Sequence, residues 1–271
     1  MDIQDTRKCN IWNLEALAGY LGAERAVLTG YYQELLDDSK FIVELNQRLR
    51  RVRSEHGFTK GIFKRDEVSS TDWFAFERVL LYVLMRYLRP ALCLETGVYY
   101  GGNTAFILAG LARNGSGKLI SIDLPDCRIR KEGGTERHPM VGDSEFYDET
   151  LAPGFIVPDY LRSHWQFIEG DSHKVIPTLP GPFGFYIHDS DHSFNFVRKE
   201  IALARSKLAP SAVVVADDID WSNGFFAFCV EERLHPLLLT DNGKDNLRMR
   251  IGLTKLDHPN NGVAEITGGT R

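Results

Sequence analysis

Apolar positions along this chain change their period repeatedly, and each change marks an expected element. Leu28, Tyr32, Leu35 and Leu36, then Phe41, Leu45 and Leu49, recur at intervals of three and four, which predicts a helix over residues 26–53. A shorter helix is expected near 13–21. Another is expected over 73–88, entered through Ser69-Ser70-Thr71-Asp72, a run of N-cap residue types. Pro90 ends that helix. From residue 91 the period switches. Leu92, Cys93 and Leu94 form an unbroken apolar run, as expected of a parallel strand covered on both faces. Further strands are expected at 118–123, 165–169, 183–189 and 212–216. Helices from about 103, and at 173–179, 193–208 and 221–234, fall between and after them. Residues 237–240 and 247–254 read as a closing antiparallel pair around the turn-forming Asp241-Asn242-Gly243. Strands alternating with helices indicate an α/β fold, a mostly parallel, doubly wound, Rossmann-like sheet with an N-terminal helical extension.

Three segments follow. Residues 1–88 are the helical extension or lid, 89–257 the α/β domain, and 258–271 a tail containing Pro, Asn and Gly that is expected to fray. Residues 124–158 interrupt the domain as a long polar insertion rich in Gly and Pro. Such an insertion is a lid, a substrate loop or a partly disordered segment. It leaves the carboxyl end of a strand, where open α/β sheets bind ligands. Arg128, Arg130 and His138 lie in it, and no one of them is singled out. The basic run at 48–55 reads as a solvated helix face.

The first strand runs into Glu95-x-Gly97-x-x-x-Gly101. This is neither the phosphate loop, since no Lys follows, nor G-x-G-x-x-G. Glycines here permit a tight turn and close approach to a ligand, and Asn103 or Thr104 can cap the next helix. Asp123 ends the second strand, where a ribose-binding carboxylate sits in βαβ nucleotide sites. Gly170-Asp171-Ser172 follows the third strand. Asp171 is placed to accept from an adenine amino group and equally to cap the next helix.

Asp189, Asp191 and His192 leave strand four, and Asp217 and Asp218 leave strand five. Neighbouring strands would bring the five together, at the same edge as Gly97. Crowded carboxylates need a cation or raised pKa values. Oxygen ligands suit Mg²⁺, Mn²⁺ or Ca²⁺, and no Cys/His set for a structural zinc is present. Capping accounts for Asp191 or Ser193, and for Asp220 or Ser222, but not for five groups at two strand ends.

The net charge of −5 argues against a nucleic-acid backbone as partner. No apolar run is as long as a membrane span, and the N-terminus carries no signal-peptide core, so no membrane partner is expected. Cys9, Cys93, Cys127 and Cys229 are scattered, which reads as reduced thiols and a cytoplasmic home. A homo-oligomer remains open.

The order Glu95-x-Gly97-x-x-x-Gly101, Asp123 and Gly170-Asp171-Ser172 resembles the class I S-adenosylmethionine-dependent methyltransferases. HDSDHSFNFVRKEI with VVVADDID resembles a branch of metal-dependent small-molecule and sugar O-methyltransferases related to the cephalosporin hydroxylase group. The likeness spans about residues 87–255. It implies a seven-stranded sheet, S-adenosylmethionine as cofactor, Mg²⁺, and a hydroxyl of a small natural product or sugar as acceptor. It implies cofactor contact at Glu95, Thr96, Gly97, Gly101, Asn103, Thr104, Asp123, Gly170, Asp171, Ser172 and Asp189. It also implies cation ligation by Asp189, Asp217 and Asp218, and a closing role for the segment around Ser69–Asp72. Asp191 matches the base position of the sugar-modifying relatives, whereas His192 has the better intrinsic pKa, and both are candidates. Ser190 stands where Gly is usual, and His188 adds a possible ligand that strand alternation turns the other way. Non-methyl chemistry on a metal-bound substrate and a non-catalytic cofactor-binding module are the alternatives.

Overall fold

The computed structural model describes residues 3–57, 76–124, 151–241 and 248–257. Ser69–Asp72, Arg128, Arg130, His138, Cys127, the turn after Asp241 and the tail from 258 lie outside the described residues.

Seven strands form one sheet in the order β3-β2-β1-β4-β5-β7-β6. They are β1 Leu92–Thr96, β2 Lys118–Asp123, β3 Trp165–Glu169, β4 Phe183–His188, β5 Leu208–Ala216, β6 Leu237–Asp241 and β7 Arg248–Lys255. The first five are parallel, and β7 runs antiparallel to both β5 and β6. This is the doubly wound sheet and closing pair expected from the pattern. The strand order reverses between β1 and β4, and ligands of open α/β sheets sit at such a switch point.

Strand alternation explains the two-sided core. Cys93, Phe185, Ile187, Val213 and Val215 face one apolar cluster, while Leu94, Tyr186, Val214 and Ala216 face the other. The first cluster is covered by helices α1 Ile3–Leu21, α2 Arg25–Leu36, α3 Ser39–His56, α4 Phe76–Leu88 and α5 Gly102–Asn114. The second is covered by the short α6 Ser172–Val175, α7 Phe194–Arg205 and α8 Gly224–Glu231.

Some boundaries differ from the expected ones. The single helix expected at 26–53 is two, α2 and α3, because Asp38 caps a new start by accepting from the Phe41 N–H at 3.0 Å. The helix near 13–21 begins at Ile3. Residues 151–158, at the end of the polar insertion, pack into the core. Ile156 and Val157 are fully buried, and the Gly154 and Ile156 N–H groups donate to the Tyr99 and Tyr100 carbonyls. Among the described residues no helix is long and apolar enough to cross a membrane.

Candidate active site

The parallel ladders continue one residue past each strand and fix where the site begins. Gly97 N donates to Ile122 O (2.9 Å), Asp189 N to Thr96 O (2.9 Å) and Asp217 N to His188 O (3.0 Å). Gly97, Asp189 and Asp217 therefore stand in one row across β1, β4 and β5. Gly97 has φ 84°, and a Cβ there would overlap the Asp189 carbonyl, so only glycine closes this row. Gly101, at φ 92°, precedes α5, and a Cβ there would lie 2.7 Å from Gly154 Cα.

Asp123 Oδ2 accepts from the Val98 and Tyr99 N–H groups at 3.0 and 2.7 Å, which holds the glycine turn against the end of β2. Its side chain stays part-exposed. Asp171 caps α6 through the His173 N–H at 3.0 Å and pairs with Lys174 at 3.4 Å, as its capping reading expects. Gly170 continues the β2–β3 ladder by donating to Asp123 O.

Three residues expected at the cofactor put their side chains elsewhere. Glu95, Thr96 and Thr104 are fully buried. Glu95 accepts from Thr104 Oγ1 (2.8 Å) and Ser121 Oγ (2.5 Å), and Ser121 in turn accepts from Trp165 Nε1 (2.9 Å). Burial pushes the Glu95 carboxyl up to about 8, against the pull of its two hydroxyl donors. These side chains brace β1, β2 and α5.

A second buried carboxylate, Glu200 of α7, braces the other side. It accepts from Thr96 Oγ1 (2.7 Å), Tyr186 OH (2.9 Å) and Ser190 Oγ (3.0 Å), with His188 Nδ1 at 2.5 Å from Oε2. His188 thus faces α7, away from the cleft, as strand alternation requires. Ser190, in place of the usual glycine, anchors the loop to the same carboxylate.

The acidic cluster forms, with a changed membership. Carboxylate oxygens of Glu77, Asp189 and Asp217 lie within 4.8 Å of one another. Asn103 Nδ2 donates to both Glu77 and Asp189, the latter at 3.0 Å. Burial, then Asp217, Glu77 and Glu95, push the Asp189 carboxyl well above the usual range, with Arg78 opposing. Asp218, expected in the trio, is instead ion-paired with Arg250 of β7. The antiparallel β7 lies beside β5, and the Ile219 N–H donates to the Arg250 carbonyl, which brings the guanidinium under this turn. His192 Nε2 lies 3.9 Å from Asp189 Oδ1 and 3.8 Å from Asp218 Oδ2. Burial, then the nearby His188, lowers the His192 pKa to about 4, so the ring is neutral at neutral pH. Asp191 Oδ1 accepts from the Ser193 N–H at 2.7 Å and shapes the entry to α7.

Residues 94–219 match the family model described as "Methyltransferase domain". Along this stretch, just under half of its length, the chain is similar to that family. Solved structures give it the class I fold. A putative O-methyltransferase from Klebsiella pneumoniae is 14% identical, with a TM-score of 0.52 over 85% of this chain and 96% of that one. An O-methyltransferase from Bacillus cereus in complex with SAH is 15% identical, with a TM-score of 0.51 over 79% and 90% of the two chains. The O-methyltransferase TomG from Streptomyces achromogenes, involved in tomaymycin synthesis and in complex with SAM, is 15% identical, with a TM-score of 0.50 over 81% and 90%. No curated protein matches the sequence.

The matched residues include Gly97, Gly101, Asp123, Asp171, Asp189, His192 and Asp217. Glu77 comes from α4, outside the matched residues, and sequence reasoning missed it. The available signal was the lone acid in a mostly apolar helix that also carries Arg78 and Arg86. Glu200 was missed for a similar reason, although it falls in phase with Val197 and Ile201 on the buried face of α7.

Proposed function

We propose that this chain transfers a methyl group from S-adenosylmethionine to a hydroxyl of a small natural product or sugar, assisted by Mg²⁺. The observation that carries the reading is the single row of Gly97, Asp189 and Asp217 beside the β1–β4 switch point, with His192 next to Asp189, in residues that match a methyltransferase domain. Part-exposed Asp123 and Asp171 suit the ribose and adenine of the cofactor, and backbone of the 97–101 turn suits its approach. The all-oxygen acid cluster suits a hard divalent cation.

The bound cofactor supplies an electrophilic methyl group, and the cation supplies Lewis acidity. The chain's own part is orientation and proton removal. His192, neutral at pH 7, takes the acceptor's proton at Nε2, and the Asp218 carboxylate 3.8 Å away stabilises the imidazolium. Arg250 holds Asp218 in place through their ion pair. Asp191 fixes the loop that carries the ring.

Calorimetry with S-adenosylmethionine, in Mg²⁺ and in EDTA, tests the reading. Cofactor binding is expected in both, and acceptor turnover only with the cation. Asp123→Ala is expected to weaken cofactor binding by about tenfold or more, the worth of a lost charged hydrogen bond. Asp217→Ala should abolish turnover and leave cofactor affinity within about threefold. No heat of cofactor binding in either condition would refute it.

A further inference from the structure

Trp221 lies in the turn that follows β5, and it is 50% exposed. A single exposed apolar side chain is ordinary on a protein surface. The neighbour of this one sets it apart. Its ring centroid lies 5.9 Å from that of His192, with the two planes tilted by 48°. His192 Nε2 in turn stands 3.9 Å from Asp189 and 3.8 Å from Asp218. The exposed indole therefore flanks the nitrogen assigned to proton removal. The backbone beneath it is braced. Trp221 N donates to Asp218 O and Ile219 N to Arg250 O, both at 3.0 Å, and Ile219 is buried. The Arg250 side chain pairs with Asp218 and lies 3.7 Å from Asp220. The turn is thus tied to β7, and the place of the indole beside His192 is set by that tie.

We propose that Trp221 is the platform on which the acceptor lies, and that the acceptor's hydroxyl is carried on a ring. The ring's apolar face stacks on the indole, and the hydroxyl at its edge meets His192. The inference rests on the methyl-transfer reading above and narrows its acceptor. An indole offers a flat apolar face that is negative at its centre. An aromatic ring stacks on it with an offset, and a saturated ring turns its slightly positive C–H face toward it. A phenol and a cyclic polyol share this chemistry. An open-chain polyol carries the same hydroxyls but has no ring face to lay on the indole.

Nuclear magnetic resonance of the full chain with ¹⁵N-labelled tryptophan tests the assignment. The chain has four tryptophans, and the Trp221 indole signal is the one lost in Trp221→Phe. Catechol, myo-inositol and open-chain sorbitol are titrated in turn with SAH and Mg²⁺ present. Catechol or myo-inositol is expected to move the Trp221 signal, and the one that moves it more separates a phenolic acceptor from a saturated ring. Sorbitol should leave the signal in place. By calorimetry, Trp221→Leu should weaken that ring probe about tenfold, and Trp221→Phe, which keeps a flat face, by no more than about threefold. SAH affinity and unfolding temperature should stay at wild-type values in both variants, whereas loss of a merely structural indole would shift them. If Trp221→Leu does not fold, the wild-type shifts and the Trp221→Phe affinity decide. Equal shifts with sorbitol, unchanged ring-probe affinity in Trp221→Leu, or no shift with any probe overturns the assignment. So does a Trp221 signal that moves with protein concentration, the mark of a contact between copies. An absence of SAH binding with the ring-probe shifts intact sinks the methyltransferase reading and leaves the platform standing.

Discussion

Glu95 shows how burial and hydrogen bonding oppose each other at one residue. Burial raises its pKa to about 8, and two hydroxyl donors limit the rise. The folded pKa exceeds the unfolded value near 4.5. The resulting stability is fully present below about pH 4.5 and is lost as pH rises through 8. Glu95→Gln should keep contacts to Thr104 and Ser121 while removing this dependence, worth up to about 1.4 kcal/mol per pH unit. Unfolding temperatures from pH 5 to 8 should therefore flatten, and an unchanged slope would contradict the assignment. Gly97→Ala is expected to cost about 3 kcal/mol or more in urea unfolding, since positive φ and overlap with Asp189 add. The glycine turn and the acids at strand ends were legible because turn chemistry and strand-end position are local. Glu77 was not, because its meaning depends on α4 crossing the edge of a sheet formed by later sequence.

At the scale of elements, α7 is fastened to the site by one carboxylate. Burial alone would raise the Glu200 pKa, but His188 and then its hydrogen-bond donors bring it down to about 2. A lowered folded pKa gives stability that is present above about pH 4.5 and is lost as pH falls toward 2. Glu200→Ala should cost about 3–5 kcal/mol at pH 7, because it leaves His188 buried without its partner. Urea unfolding at pH 7 and pH 3.5 checks this, since the deficit should shrink at the lower pH. Helix boundaries were less legible than strands. The 26–53 periodicity runs through the α2–α3 break, and only Asp37-Asp38-Ser39 marks it. Asp38→Ala is expected to cost about 1 kcal/mol, the typical worth of an N-cap, and to be visible as a lowered urea midpoint.

For the molecule as a whole, alternation of strand and helix signals made the sheet legible, because each strand is a short local run. Packing between distant segments was not legible. The helices before residue 57, expected as an extension or lid, bury their apolar faces in the same core that covers one side of the sheet. Leu14 and Leu17 of α1, Leu28 and Leu35 of α2, and Phe41 and Leu49 of α3 are almost wholly buried there. Asn13 Nδ2 donates to the Thr240 carbonyl at 2.7 Å, and Tyr20 OH to the His235 carbonyl at 2.7 Å, so α1 also fixes β6. Each buried side chain of this size contributes about 1.5–3 kcal/mol, so these six together contribute on the order of 10 kcal/mol. That is comparable with the whole stability of an ordinary domain, about 5–15 kcal/mol. A chain starting at residue 58 should therefore lack a cooperative unfolding transition and bind a hydrophobic dye. A removable lid would leave the transition and cofactor affinity intact in the same two measurements.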